Sequence, residues 1–466
     1  MIQLFPLFLG CATLFFLIYL IVCSTFLFLS VIIGASELYQ KKELDYLQPR
    51  LRQDCCLPIS ILVPAYNEEV TVVETIRSLL ALQYKHYEIV ILDDGSTDTT
   101  AARLIEAFHM QQVSRPIRIQ LACQPVQAVY ECRSEKVLIT LLRKKNGGKA
   151  DSLNLGINCA RYPYFICMDA DSCLQYDSLE RIVRPVLENK NVIAVGGSIR
   201  PANGVRIQDG HVVQYHLPRN LLACMQALEY DRSFLAARIL LDKFNGNLII
   251  SGAFGLFEKA AVIAAGGYDP NTMGEDMELV VRLHAFCRLT QRPYRIKYAS
   301  DAICWSQAPE RLSELKKQRR RWQRGLFQTL WKHRRMFANP RYGVVGTVSY
   351  PHFLFYEFLS PYIEVLGILM VLLSIAMDML NLRYTVLLFV VYAVYGALLS
   401  ITAFFSRIHT IDLNVSLRDL GKALLLCLFE IFFLRLYLTM VRVTAFIGYK
   451  KNRLNWDKLE RQKLNT

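Results

Sequence analysis

The sequence predicts an α/β domain built on a mostly parallel sheet between helices, with transmembrane helices flanking it. Three observations predict this. Between residues 55 and 345, apolar β-branched runs alternate with helical stretches. From Met1 to Ser36 no residue is charged. After Pro351 the chain turns apolar again. The 466 residues are 53% hydrophobic and 20% charged, which excludes a disordered chain and calls for more than one domain-sized unit.

Residues 1–36 as one helix would be about 50 Å long, more than a hydrocarbon core requires. A signal peptide has an apolar region of about 7–15 residues after a basic start, whereas Met1–Pro6 carries no Lys or Arg. We read this segment as an uncleaved transmembrane anchor. Lys41, Lys42, Arg50 and Arg52 follow it, which puts residue 40 onward in the cytosol by the positive-inside rule.

Residues 55–309 form the expected catalytic domain. Its strand-like runs cover 57–64, 87–94, 137–143, 164–171, 192–199 and 248–257, with helical stretches such as 70–83 and 149–161 between them. Continuous apolar strands separated by helices indicate a sheet covered on both faces. Ligands bind such sheets beyond the carboxyl ends of the strands, so the residues that follow each strand carry the chemistry. Residues 310–350 read as basic interfacial helices and 351–447 as a membrane region of two to three spans. Residues 360–378 and 384–405 make good spans, joined by a turn at Asn381. The stretch 423–447 contains Glu430, Arg435 and Arg442, and each Arg at the centre of a span costs about 2.5–3.5 kcal/mol. We therefore expect it at the interface or packed on the other helices. A basic tail, 448–466, with Lys450, Lys451, Arg453 and Lys458, favours the cytosol. The segment from Val205 to Phe244 suggests an apolar helix packed near the membrane and has no assigned role. The thirteen cysteines form no CxxC pair, and Cys55-Cys56 are adjacent, so they read as reduced thiols.

The first strand runs into Ala65, Tyr66 and Glu68, and the second into Asp93-Asp94-Gly95. Carboxylates at a strand end accept hydrogen bonds from a ligand's N–H groups or ribose. The plainer reading is an Asx turn, with Asp98 capping the next helix. Asn146-Gly147-Gly148-Lys149 precedes a helix and suits an anion such as a diphosphate, although the GxxxxGK[ST] spacing of a P-loop is absent. Asp169-Ala170-Asp171 ends the fourth run. On an extended strand both carboxylates would share a face and point at one divalent ion. Gly274-Glu275-Asp276 opens a helix; Asp276 is either a carboxylate favoured by the helix dipole or a general base.

Residues 311–335 hold ten Lys or Arg and one acid, supplying nine of the fourteen net positive charges. Beside membrane segments, such a stretch reads as a helix on an anionic lipid surface, with no nucleic acid as partner. Within it, Gln318, Arg321 and Trp322 make a QxxRW motif. Arg321 offers a planar fork for phosphate and Trp322 a flat face for a sugar ring.

Taken in order, Asp94, Asp169-Ala170-Asp171, Glu275-Asp276 and Gln318/Arg321/Trp322 resemble the motifs of inverting family-2 glycosyltransferases with a GT-A fold. More narrowly, they resemble membrane-embedded synthases of cellulose, chitin, hyaluronan and poly-N-acetylglucosamine. Each motif alone recurs widely; the ordered set is specific, and it covers about residues 57–335. The resemblance implies that Ala65, Tyr66, Glu68, Asp93, Asp94, Lys149 and Asp169 bind a UDP-sugar donor. It implies Mg²⁺ or Mn²⁺ on Asp169 and Asp171, and Asp276, beside Glu275, as the base. Gln318, Arg321, Trp322, Gly252, Ala253 and Phe254 would serve the diphosphate and the acceptor. Two departures stand out. Gly274 replaces a frequent Thr, and the spans are fewer than cellulose-type synthases use for a secretion channel, so an accessory export or regulatory subunit enters as a partner.

The leading expectation is an inner-membrane, multi-pass enzyme with a cytosolic catalytic domain. It would transfer a sugar from UDP-N-acetylglucosamine or UDP-glucose to a growing β-linked polysaccharide. One alternative is a single addition to a membrane lipid. Another is a non-catalytic, membrane-anchored nucleotide or polysaccharide binder.

Overall fold

The computed structural model describes residues 4–47, 56–134, 137–208, 210–411 and 415–449. Arg50, Arg52, Cys55 and the basic tail from Lys450 onward lie outside the described residues. Helix α1 (Leu4–Leu47) leads into the α/β domain. There follow β1 (Ile59–Ala65), α2 (Val72–Leu80), β2 (Tyr87–Asp93), α3 (Thr100–Ala107), β3 (Gln111–Gln112), β4 (Val126–Ser134) and β5 (Val137–Lys144). Next come α4 (Lys149–Cys159), β6 (Tyr164–Met168), β7 (Cys173–Leu174), α5 (Ser178–Glu188) and β8 (Val192–Pro201). A hairpin of β9 (Val205–Gln208) and β10 (His211–Tyr215) precedes α6 (Leu221–Glu229), a π-helical stretch (Tyr230–Ala236) and α7 (Ala237–Asp242). The domain closes with β11 (Phe254–Glu258), α8 (Lys259–Ala264), α9 (Glu275–Leu289) and β12 (Arg295–Ser306).

One sheet runs in the order β3-β4-β5-β2-β1-β6-β11-β8-β12-β7. Its centre, β5-β2-β1-β6, is parallel. The α/β class holds, but the sheet is mixed: β11 enters antiparallel between β6 and β8, and β4 pairs antiparallel at an edge. Apolar runs reveal buried strands but not their direction, which only the connections set. Alternation divides β1 between two cores. Ile59, Ile61 and Val63 pack with α2 and α3, whereas Leu62 faces α4.

Four further expectations change. β4 is half exposed and β12 carries polar residues with an irregular register, so neither has a continuous apolar signature. The run 248–257 is a strand only from Phe254, because the Gly252 peptide bonds to side chains instead of a ladder. Asp169 and Asp171 follow the end of β6 in a turn, not on an extended strand. The segment from Val205 starts as a hairpin; only its later part, from Leu221, is helix packed against the apolar helices.

α10 (Leu312–Lys332) contains the basic stretch. It is no simple surface helix. Lys316 and Lys317 face outward, but Arg319 and Gln323 are buried and Arg324 donates to Ala445 O at 2.7 Å. Beyond it, α11 (Tyr350–His352) sits between two π-helical stretches, and α12 (Ser360–Ala376), α13 (Leu382–Ile411) and α14 (Leu417–Val443) follow. Gly10–Glu43 and Leu382–Ile408 are long and apolar enough to cross a membrane, and two bent helix pairs raise the number to as many as four. Their outer faces expose Leu14, Ile21, Leu388 and Val391, the pattern lipid contact requires. The end of α1 is tied to the α/β domain by Lys41 to Asp301 at 3.3 Å and by Glu37 to Lys243.

Candidate active site

The ends of β1 and β6 open onto one cavity of about 1260 Å³. Because β11 runs antiparallel to β6, pairing Phe254 with Met168, the residues entering β11 lie beside the residues leaving β6. Because β8 is antiparallel to β11, its carboxyl end reaches the same edge. This topology collects Ala65, Tyr66, Glu68, Lys149, Asp169, Asp171, Gly252 and Ala253 around the cavity, together with Ser198–Pro201. The start of α9 and the middle of α10 supply the rest. α9 brings Glu275 and Asp276, and α10 brings Gln318, Arg321 and Trp322.

Two expected donor-side carboxylates turn out to be committed to the scaffold. Asp93 is buried and does not line the cavity; its Oδ1 accepts from Ser96 N at 3.0 Å. Asp94 touches the cavity, but its carboxylate accepts from Gly147 N at 2.9 Å, from Gly148 N at 2.8 Å and from Lys144. It shapes the Asn146–Gly148 loop. Gly148 sits at φ 88°, a conformation glycine adopts freely. Phe254 is fully buried in the core and also lies off the cavity. Asp98 is not the helix cap that the sequence predicts: Thr99 holds the cap position, and Asp98 lies one residue earlier and accepts from Thr100 N at 2.9 Å.

The centre of the site is the Gly252 peptide. Its N–H donates to Asp276 Oδ2 at 3.1 Å, and its carbonyl accepts from Lys149 Nζ at 3.1 Å. Lys149 also donates to Asp169 Oδ1 at 2.5 Å and lies 3.8 Å from Glu275. Burial disfavours the charged ammonium, but Asp169 and Glu275 outweigh it and hold Lys149 protonated. A Cβ at position 252 would come within 3.1 Å of that ammonium, which explains a small residue there. Glu275 is pushed up to about 7, mainly by burial and further by Asp276, against the pull of Lys149. Asp276 Oδ1 also accepts from Met277 N at 2.8 Å. The stretch therefore ends in a carboxylate held by two backbone N–H groups and facing the cavity.

Gly274, where the motif departs from the common Thr, has a structural cause. A Cβ there would sit 3.1 Å from Gly325 Cα, and a Cβ on Gly325 would sit 2.9 Å from Gly274 N and Cα. The loop carrying Asp276 and the helix carrying QxxRW thus cross backbone to backbone. We expect Gly325→Ala to force these segments apart and lower turnover about tenfold or more, since misplacement of even 1 Å costs up to roughly 10²-fold. Steady-state kinetics beside a thermal melt checks this; unchanged turnover would show that the crossing does not set the geometry.

The glycosyltransferase-like family 2 profile matches residues 58–325. The chain belongs to this family. Among its relatives, the poly-β-1,6-N-acetyl-D-glucosamine synthase of Staphylococcus aureus (strain COL) is 29% identical over 67% of this chain and 66% of its own length. The Staphylococcus epidermidis synthase is 30% identical over 58% of this chain and 55% of its own. The chain thus spans just under two thirds of the length of the S. aureus relative. A mannosyltransferase from Pyrobaculum calidifontis, solved in complex with GDP-Man and Mn²⁺, shares the fold. It has a TM-score of 0.53 and 17% identity, covering 84% of this chain and 98% of the other.

In this glycosyltransferase-family chain the cavity continues past Trp322 among the apolar helices, reaching Tyr19 and Phe16 of α1, Gly367 of α12 and Tyr392 of α13. The Arg319 guanidinium lies 4.6 Å from the centre of the Trp322 ring and forks onto Glu229 at 2.8 and 2.6 Å. The charges that made 423–447 costly as a span are all engaged. Glu430 accepts a bidentate pair from Arg232 at 2.8 Å, Arg435 bonds Glu364 at 2.5 Å, and Arg442 bonds Gln323 Oε1 at 2.8 Å. Arg232, Arg319 and Glu229 escaped sequence reasoning. For Arg232 the signal was Glu430, a charge inside an apolar run, which demands a partner.

Proposed function

We propose that this chain is a membrane-bound inverting glycosyltransferase that moves N-acetylglucosamine from UDP to a growing β-linked polysaccharide. The observation that carries the reading is the continuity of the cavity, from the Gly147–Lys149 loop past Asp276 and Trp322 into the apolar helices. That is the shape a processive enzyme needs, with donor at one end and a lengthening product at the other. The staphylococcal relatives support the sugar and the polymer. Catalysis takes place on the cytosolic face of the inner membrane, a reading supported by the basic residues that follow the first apolar stretch.

On this reading the acceptor sugar stacks on Trp322 and its hydroxyl points at Asp276. Asp276 takes the hydroxyl proton as the oxygen attacks the anomeric carbon. The bond from that carbon to the diphosphate oxygen breaks, and UDP leaves with the electron pair. Attack from the face opposite UDP inverts the configuration. Lys149 and Arg321 offset charge growing on UDP. Asp169 and Asp171, two carboxylates of one turn on the cavity wall, fit Mg²⁺ or Mn²⁺, because such ions take one or two carboxylates and fill the remaining positions with phosphate and water. When bound, the ion neutralises diphosphate charge.

The test is UDP release by the solubilised protein with UDP-N-acetylglucosamine and UDP-glucose, with products sized by mass spectrometry. We expect release with UDP-N-acetylglucosamine and a ladder of products. A single sugar on a lipid would replace the polymer reading. No release from folded protein would overturn transfer by this chain alone and leave an accessory subunit or a binding role.

A further inference from the structure

Arg200 lies near the end of β8, lines the cavity and is only 4% exposed. Its Nε and Nη1 are buried and have no hydrogen-bond acceptor among the described residues. Its strand partner Trp305 likewise buries an indole N–H without an acceptor. A second guanidinium stands in the same cluster. Arg407 Nε is 3.2 Å from Asp231 Oδ2, an ion pair without hydrogen-bond geometry, while its Nη2 donates to Tyr215 OH at 2.8 Å. Arg200, Asp231, Tyr215 and Arg407 are all under a tenth exposed.

Among the described residues, the two arginines therefore act on one buried carboxylate, Asp231. Ordered water would satisfy the N–H groups but not the excess charge, and an uncompensated buried cation costs several kcal/mol. Burial and the nearby Arg407 both press against the charged form of Arg200. An arriving carboxylate or phosphate would supply the missing charge and the missing acceptors together, and a guanidinium fork suits either.

We propose that Arg200, backed by Arg407 and Asp231, is an anion subsite of the cavity. It takes a carboxylate or phosphate substituent carried by the acceptor glycan. This rests on the transferase reading above and adds a substrate class to it: the preferred acceptor is anionic.

The test compares neutral N-acetylglucosamine oligosaccharides with the same oligosaccharides carrying a carboxylate, using the full chain and UDP release. We expect a KM about tenfold lower for the charged acceptor. Arg200→Gln should bring the two to parity, and Arg200→Lys should restore part of the difference. Equal KM values in the native protein overturn the inference, as does a preference that survives Arg200→Gln. Should that variant fail to fold, the native protein still decides. Inorganic phosphate should raise KM for the charged acceptor selectively, and equal inhibition of both acceptors overturns the subsite. Stimulation by phosphatidylglycerol nanodiscs with no preference among glycans assigns the anion to lipid and also overturns it. Absence of UDP release with every acceptor is a different failure. It removes the transferase reading, and the subsite falls with it.

Discussion

Replacing Asp276 with Asn is expected to lower turnover by about 10²–10⁴-fold, the span of a general base. The argument is geometric. Both Asp276 oxygens accept from backbone N–H groups, Gly252 N at 3.1 Å and Met277 N at 2.8 Å, so the carboxylate is held in one orientation against the cavity. Asparagine keeps the volume but cannot take a proton, and its NH₂ meets one of those N–H donors head-on. UDP binding should change far less than turnover, because the Gly147–Lys149 loop lies on other elements. Turnover by UDP release and affinity by calorimetry separate the two. If Asp276→Asn retains turnover within tenfold of native, Asp276 is not the base. Glu275, buried and pushed up to about 7, would then be the next carboxylate to replace.

The second large effect concerns stability. Lys144 is fully buried at the end of β5 and is paired to both Asp94 and Asp151, the latter at 2.7 Å. Lys144→Met would leave two neighbouring acids without a counter-charge. Removing one partner of a buried ion pair costs about 3–5 kcal/mol, which for a domain of this size lowers the melting temperature by roughly 10 °C. The acids keep their backbone donors, Gly147 N and Gly148 N for Asp94 and Gln124 N for Asp151, which argues for the lower half of the range. Because Asp94 shapes the loop before Lys149, UDP affinity should fall as well. Scanning calorimetry of the solubilised protein checks the first effect. A melt within 2 °C of native, on the same scale, would mean that the backbone donors alone satisfy both acids.

Much of the site was legible one motif at a time. Carboxylates placed just after apolar runs, as at Asp169 and Asp171, follow from the rule that such sheets bind ligands beyond their strand ends. Lys149, expected at an anion loop because a glycine pair precedes a helix start, does line the cavity. Asp93 is expected from its strand-end position and Phe254 from the resemblance alone. Strand-end position says nothing about which way a side chain turns, and both are spent on scaffold or core. The reason for Gly274 was out of reach, since its counterpart Gly325 is distant in the chain and glycines carry no partner label.

What the sequence by itself determined was the alternation of strands and helices, the two apolar ends and the order of the acid motifs. Those are local properties, set by hydrophobic period and by the residue types a strand end or helix start tolerates. The tertiary structure alone decided that β11 runs antiparallel beside β6, which brings the Gly252 peptide between Lys149 and Asp276. It alone matched Glu430 to Arg232 and left Arg200 short of an acceptor among the described residues. The physical reason is the same in each case. A buried charge announces that it needs a partner, but the identity of that partner is set by which distant segments pack together.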